Sequence, residues 1–262
     1  GMEKLRSVVT KILIARLAPE TIYEKSDIPT RKEEGLAPTE RDIFGHTRDR
    51  LTVLEQGMRF IVDVKLGQKT GLFLDQREMR SLVRQISRDR RVLNCFSYTG
   101  GFSVAALLGG AAKVLSVDVS ESAIALTEEN VSLKNYSDRH SSAAADVFEW
   151  LRAAKPGVAD LIILDPPAFA KRKSDVVKAC RGYKDINRLA LTLAPKGGLL
   201  LTSSCSYSIT ENLFQTVVFQ AAREANRTVR IMSRHRLAPD HPVNIYHPEG
   251  EYLKGLLCRV LP

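Results

Sequence analysis

Hydrophobic positions recur at helical spacing at the start of this chain and then change period twice. Leu5, Val8, Val9, Ile12, Leu13 and Leu17 share one face of a helix over 3–18, which Pro19 stops. Residues 20–50 are polar and turn-rich, and predict an irregular arm with a short strand near Ile22 and Tyr23. From Leu51 the pattern shortens. LTVLEQ, MRFIVDVKLG and TGLFLD, joined by glycine turns, predict three short antiparallel strands. From Gln76 onward helix and strand patterns alternate. Helices are expected at 77–88, 101–109, 120–134, 147–154, 174–193 and 210–225. Strands are expected at 91–95, 113–118, 142–145, 160–164, 198–204, 228–233 and 252–261. Such alternation builds a mostly parallel sheet covered by helices on both faces. The last two strands have no helix between them and should close the sheet as an antiparallel pair. The expected architecture is α/β over 76–262, preceded by a small α+β domain over 1–75 made of the helix, the arm and the β-rich unit.

Composition narrows the class. The chain has 262 residues and 44% hydrophobic content, enough for a globular core. No run approaches the roughly 18 apolar residues of a membrane span, and the N-terminus lacks a secretory signal pattern. Gly1 before Met2 reads as a cloning remnant, and the expectation is a soluble, cytoplasmic protein. The four cysteines contain no C-x-x-C pair, and the five histidines show no ligand spacing. No disulfide framework and no metal centre are therefore expected. A formal net charge of +9 is compatible with a polyanionic partner.

Chemistry concentrates where strands end. LIIL (161–164) runs into Asp165-Pro166-Pro167-Ala168-Phe169, and GLLLTS (198–203) runs into Ser204-Cys205-Ser206. If both strands lie in one parallel sheet, an acid, a stiff turn and a thiol emerge at its carboxyl edge, where open α/β sheets bind ligands. The first strand of the domain ends in VLNCFSYTGGFSVAA, a glycine turn opening a helix. Gly100 and Gly101 allow close approach of a ligand, and the helix start offers free N–H groups. The spacing is not G-x-G-x-x-G, so the dinucleotide fingerprint is absent. Asp118, at the next strand end, suits a pair of ribose hydroxyls. Asp146, followed by Val147 and Phe148, suits an adenine amino group. Both acids read equally well, taken singly, as helix N-caps.

FSYTGGFS, SVD, ADVF, LDPPAF and SCS, in this order, resemble a Rossmann-like class I S-adenosylmethionine-dependent methyltransferase, and more narrowly the bacterial 23S (large-subunit) ribosomal RNA cytosine-5 methyltransferases. GQKTGLFLDQR, ACRGYKDIN and DHPV…PEGEYLKGLLCRV extend the resemblance over roughly residues 20–262. It implies S-adenosylmethionine as cofactor, held by Phe96, Ser97, Tyr98, Gly100, Asp118, Asp146 and Asp165. Lys69, Phe73, Asp75, Gln76 and Arg77 would close over the methionine end or the base. Members usually begin with a small RNA-binding PUA domain, and here residues 1–50 stand in its place.

The implied chemistry is covalent. Carbon 5 of cytosine is a poor nucleophile until a thiolate adds to carbon 6. Cys205 is the expected nucleophile, its thiolate favoured by nearby positive charge, whereas Cys95, Cys180 and Cys258 read as core residues. Asp165 would hydrogen-bond ring nitrogen 3 and the exocyclic amine. The Pro166 carbonyl would receive the amine and Phe169 would stack on the base. No general base for the carbon-5 proton is identifiable. Lys171, Arg172, Lys173, Lys178, Arg181, Lys184 and Arg188 gather near the same edge, where they would track RNA phosphates or form a solvated helix face. Two alternatives stand beside this reading. One is an exocyclic amino-group methyltransferase using Asp165-Pro166-Pro167 with Cys205 as bystander. The other is a cofactor-binding RNA module without catalysis. The N-terminal amphipathic helix offers a surface for homodimer pairing.

Overall fold

The computed structural model describes residues 2–28 and 30–262. The chain divides into two compact units: Gly1–Thr52 with Val62–Leu72, and Val53–Ile61 with Phe73–Pro262.

In the first unit, α1 (Met2–Leu17) is the expected helix. It buries none of its side chains, and Leu5, Val8 and Ile12 are about half exposed. Strand β1 (Ile22–Ser26) pairs antiparallel with β2 (Thr39–Phe44), an element absent from the periodicity reading. Its sequence, TERDIF, is largely polar because neither face enters a core, so the usual apolar alternation is missing. A short helix, α2 (Thr30–Glu33), lies between them. Lys25 Nζ donates to the Lys65 carbonyl at 2.6 Å and to that of Gly67, which ties this sheet to the returning 62–72 segment.

Strands β3 (Arg50–Glu55) and β4 (Met58–Asp63) form a hairpin. The third strand expected over TGLFLD does not exist. Asp63 Oδ1 accepts from the Lys65 and Leu66 amides and ends β4 in a side-chain turn. Lys69 and Gly71 then take positive φ, and Leu74–Gln76 closes a 3-10 turn. At Gly71 a Cβ would lie 2.6 Å from the Asp63 carbonyl oxygen, so only glycine permits this return.

The second unit is built on a seven-stranded sheet in the order β10-β11-β9-β8-β5-β6-β7. Its strands are β5 (Arg91–Cys95), β6 (Lys113–Asp118), β7 (His140–Ala144), β8 (Leu161–Leu164), β9 (Leu199–Ser204), β10 (Val229–His235) and β11 (Lys254–Val260). β7, β6, β5, β8 and β9 run parallel, while β11 is antiparallel to both β9 and β10, as expected. The covering helices are α3 (Arg77–Ile86), α4 (Gly101–Leu108), α5 (Glu121–Ser132), α6 (Val147–Ala153), α7 (Val176–Leu193) and α8 (Glu211–Glu224). All four residues of β8 and all six of β9 are buried, which explains their unbroken apolar or small-polar character. Leu164, Leu200, Tyr183, Ile186, Phe214 and Leu256 belong to the core between α7, α8 and the sheet. Chain direction diverges on either side of β5, so the crevice beyond the carboxyl ends of β5 and β8 is the topological switch point.

Candidate active site

The glycine turn after β5 is shaped by backbone strain. Phe96, Tyr98 and Gly100 all take left-handed φ, at 57°, 47° and 81°. Two of these are aromatic residues, for which such φ values are costly and persist only where surroundings over-determine them. Those surroundings are visible. Asp118 Oδ2 accepts from the Tyr98 amide at 2.8 Å, and Thr127 Oγ1 donates to the Tyr98 carbonyl at 2.8 Å. Asn130 on α5 donates to the Thr99 carbonyl at 3.0 Å while pairing with both backbone groups of Ile61. At Gly100 a Cβ would fall 2.6 Å from Thr127 Cγ2. Arg80 underlies the following helix start: its Cδ lies 3.2 Å from where a Gly101 Cβ would stand. The Arg80 guanidinium is locked on Glu55 by bonds of 2.7 and 2.5 Å and on the Phe73 carbonyl at 2.8 Å. Thr127, Asn130, Arg80 and Glu55 were not legible as site supports. They are buried polar residues inside helix or strand patterns, and that departure from periodicity was the only signal.

Asp118 also accepts from the Ser120 amide through Oδ1 at 2.9 Å. The N-cap of α5 is Ser120, not Asp118. Asp146 caps α6, its Oδ1 accepting from the Glu149 amide at 3.0 Å, so here the capping role is real. It is exposed, and Phe148 beside it meets Phe96 edge-on with ring centroids 6.5 Å apart. The aromatic series continues from Phe148 to Phe169 and on to Tyr183 and Phe214. Phe169 therefore stacks inward, 4.6 Å from the Tyr183 ring and against Gly182.

The second cluster sits at the ends of β8 and β9, adjacent and parallel. Asp165 Oδ1 accepts from Gln76 Nε2 at 2.8 Å and from Ser203 Oγ at 2.5 Å. Burial pushes the Asp165 carboxyl up to about 6, with Asp75 adding to the rise while Ser203 and Arg80 oppose it. Asp75 accepts from the Tyr252 hydroxyl at 2.7 Å. Cys205 Sγ faces the Pro166 carbonyl oxygen at 3.9 Å. The two loops are knotted through Ser206, whose Oγ accepts from the Ala170 amide at 3.1 Å and lies 2.9 Å from the Tyr183 hydroxyl. Tyr183 is fully buried, so this knot is rigid. The thiol and the Asp-Pro-Pro turn are thus brought together. Cys95 and Cys258 are buried in strands, and burial pushes both thiols up, in keeping with their core reading.

Arg77 pairs with Asp240 at 2.6 Å and with Glu78 at 3.2 Å. Lys69 belongs to the first unit. Of the basic residues, Lys171, Arg172, Lys173, Lys178 and Arg181 are exposed just before and within the first turns of α7. Lys184 and Arg188, further along, are held by Glu224 and Asp185 at 2.6 Å each.

A nucleoside with an amino-acid tail fits the first cluster by its donor set. Ser97 Oγ and Gln76 Oε1 are buried and have no hydrogen-bond partner among the described residues. They are two of six such atoms among the described residues, and these two lie in the strained turn and beside Asp165, where a polar ligand would satisfy them. The strained turn commits its Ser97, Tyr98 and Gly100 amides within the protein, which fixes its shape, and Asp118 retains carboxylate lone pairs beyond its two amide bonds. No group of metal-ligating side chains occurs among the described residues, and no described helix is long and apolar enough to cross a membrane.

Residues 40–259 match the family model described as S-adenosylmethionine-dependent methyltransferase. The Ribosomal RNA large subunit methyltransferase I of Salmonella typhi is 44% identical over 265 residues, covering 100% of this chain and 66% of the relative. A solved structure described as a SAM-dependent methyltransferase from Streptococcus mutans superposes with a TM-score of 0.84 at 26% identity, covering 98% of this chain and 66% of that one. A methyltransferase crystal structure complexed with SAH gives the same values. The chain thus spans about two thirds of the length of the proteins it matches.

Proposed function

The chain belongs to the S-adenosylmethionine-dependent methyltransferase family, and from that premise we propose that it methylates carbon 5 of a cytosine in large-subunit ribosomal RNA through a covalent Cys205 adduct. The observation that carries this reading is the meeting of Cys205 with the Asp165-Pro166 turn at one sheet edge, Sγ to carbonyl 3.9 Å. The resemblance to the Salmonella typhi ribosomal RNA enzyme supports the choice of RNA as substrate.

S-adenosylmethionine, when bound, supplies an electrophilic methyl group. Phe96, Ser97, Tyr98, Gly100 and Asp118 hold its nucleoside and tail, with Asp146 and Phe148 on the adenine side. Cys205 Sγ adds to ring carbon 6, which makes carbon 5 nucleophilic enough to take the methyl. Asp165 hydrogen-bonds ring nitrogen 3. With a pKa of about 6, it is protonated in roughly one molecule in ten at neutral pH, close to the optimum for giving a proton and taking it back. The Pro166 carbonyl accepts from the exocyclic amine. Loss of the carbon-5 proton to solvent water then restores the ring double bond and expels the Cys205 thiolate. Lys171, Arg172, Lys173, Lys178 and Arg181 carry the phosphate contacts, because Lys184 and Arg188 already serve ion pairs within the protein.

The test is methyl transfer from radiolabelled S-adenosylmethionine to unmodified ribosomal RNA, with nucleoside analysis, for wild type and Cys205→Ala. The expected result is label in 5-methylcytosine, reduced at least about a thousandfold in the variant. Label in an exocyclic amino group, or label that survives the substitution, rejects Cys205 as nucleophile and favours amino-group transfer by the Asp165-Pro166-Pro167 turn.

A further inference from the structure

Lys254 enters β11 in register with Ser204, the residue before Cys205. It is only 6% exposed. Its ammonium donates to the Ser206 carbonyl at 2.7 Å and to the Ile209 carbonyl at 2.5 Å. Both acceptors lie on the loop that leaves β9 through Cys205, and both are neutral. A buried ammonium has three donors. Two of them fasten this loop, and its charge is left to be balanced by an anion within reach.

We propose that Lys254 is the positioning residue for Cys205: its buried ammonium anchors the 205–209 loop and supplies the positive field that holds the Cys205 thiolate near neutral pH. This rests on the reading of Cys205 as nucleophile. The charges around the pair make such a cation necessary. Asp165 lies at the end of the adjoining strand, and Asp75 accepts from Tyr252. Tyr252 and Tyr183 both interact electrostatically with Cys205. Each of these groups is neutral or negative, and a carboxylate nearby opposes ionisation of a thiol. Among the described residues Arg80 is a cation that acts on Asp165, and Lys254 is a cation that interacts with Cys205. Burial pulls its pKa down to about 8, and interaction with Cys205, then with Glu251, pulls it back up. The thiol and ammonium therefore titrate as a coupled pair. Their mutual support needs thiolate and ammonium together, so it fades above about pH 8 as Lys254 loses its proton and again at lower pH as the thiol takes one up.

The experiment is the pH dependence of Cys205 alkylation by iodoacetamide on the full chain without RNA or cofactor, with Cys205→Ala giving the background from the other cysteines. Lys254→Met is expected to raise the midpoint by about one pH unit and to slow alkylation at about pH 6, below both midpoints, about tenfold. Lys254→Arg, which keeps the charge, is expected to restore the wild-type midpoint. A midpoint unmoved in a folded Lys254→Met protein, whatever its change in Tm, overturns the proposal. Should Lys254→Met fail to fold, the reciprocal measurement decides. Coupling must act equally in both directions, so Cys205→Ser is expected to lower the Lys254 midpoint read by 13C NMR of the lysine side chains. An unchanged Lys254 titration there overturns it too. Alkylation reads the thiol alone, so failure of RNA methylation and failure of this coupling are distinguishable.

Discussion

The two halves of the crevice are made differently. Beyond β5 and β6 the site is a backbone construction: three left-handed residues in a five-residue turn, clamped by Asp118, Thr127 and Asn130. Beyond β8, β9 and β11 it is a side-chain construction, in which Asp165 is pushed up, Lys254 is pulled down and Cys205 faces the Pro166 carbonyl. On the proposed function the difference fits the two tasks. A nucleoside and its tail would be recognised by shape and by a backbone whose direction never changes. Transfer to a ring carbon would need groups that change protonation or bonding state within one turnover, mobile in charge yet fixed in place.

Substituting Asp165 by asparagine separates these roles most sharply. Methyl transfer is expected to fall about a hundredfold or more, the scale of general acid–base catalysis, while SAH affinity measured by calorimetry changes little more than the loss of one contact requires. Stability should move the other way. The folded-state pKa of Asp165 is raised, so the native state binds the extra proton between about pH 4 and 6, and ionisation above that range costs stability. The asparagine variant is therefore expected to be more stable than wild type at pH 8, by about 3 kcal/mol, with the advantage vanishing near pH 4. Denaturant melts at the two pH values measure this. An advantage that is equal at both would place the origin of the shift outside Asp165.

Gly100→Ala attacks the other half. A left-handed φ costs an L-residue roughly 1–2 kcal/mol, and the new methyl meets Thr127. Binding of SAH is expected to weaken about tenfold or more with the pH profile of Cys205 alkylation unchanged. A shift in that profile would show that the halves are coupled rather than independent. Asp146→Ala is the mildest case. Loss of the α6 N-cap costs about 1 kcal/mol of stability. If Asp146 also serves adenine, SAH affinity falls beyond what an asparagine at the same position causes, since asparagine still caps.

The sheet and its site strands were legible in the sequence for a local reason. Strand and helix periods are written in neighbouring residues, so β5 and β6 have the expected bounds and the remaining sheet elements differ only at their ends. The placement of Asp165 and Cys205 at strand ends followed from the same local pattern. Where the reading failed, local pattern was weak or misleading. TGLFLD alternates like a strand, but its backbone bonds close turns, and TERDIF lacks the apolar face that marks one.

What only the tertiary structure decided is which distant residues meet. The register of β11 against β9 puts Lys254 opposite Ser204, and the Ser206–Tyr183–Ala170 knot draws the thiol to the proline turn. Arg80 finds Glu55, and Asn130 finds Ile61 and Thr99. A buried polar side chain must be satisfied by some partner, and the sequence announces that demand without naming the partner. Periodicity is a property of neighbours, whereas satisfaction of a buried charge is a property of the packed whole.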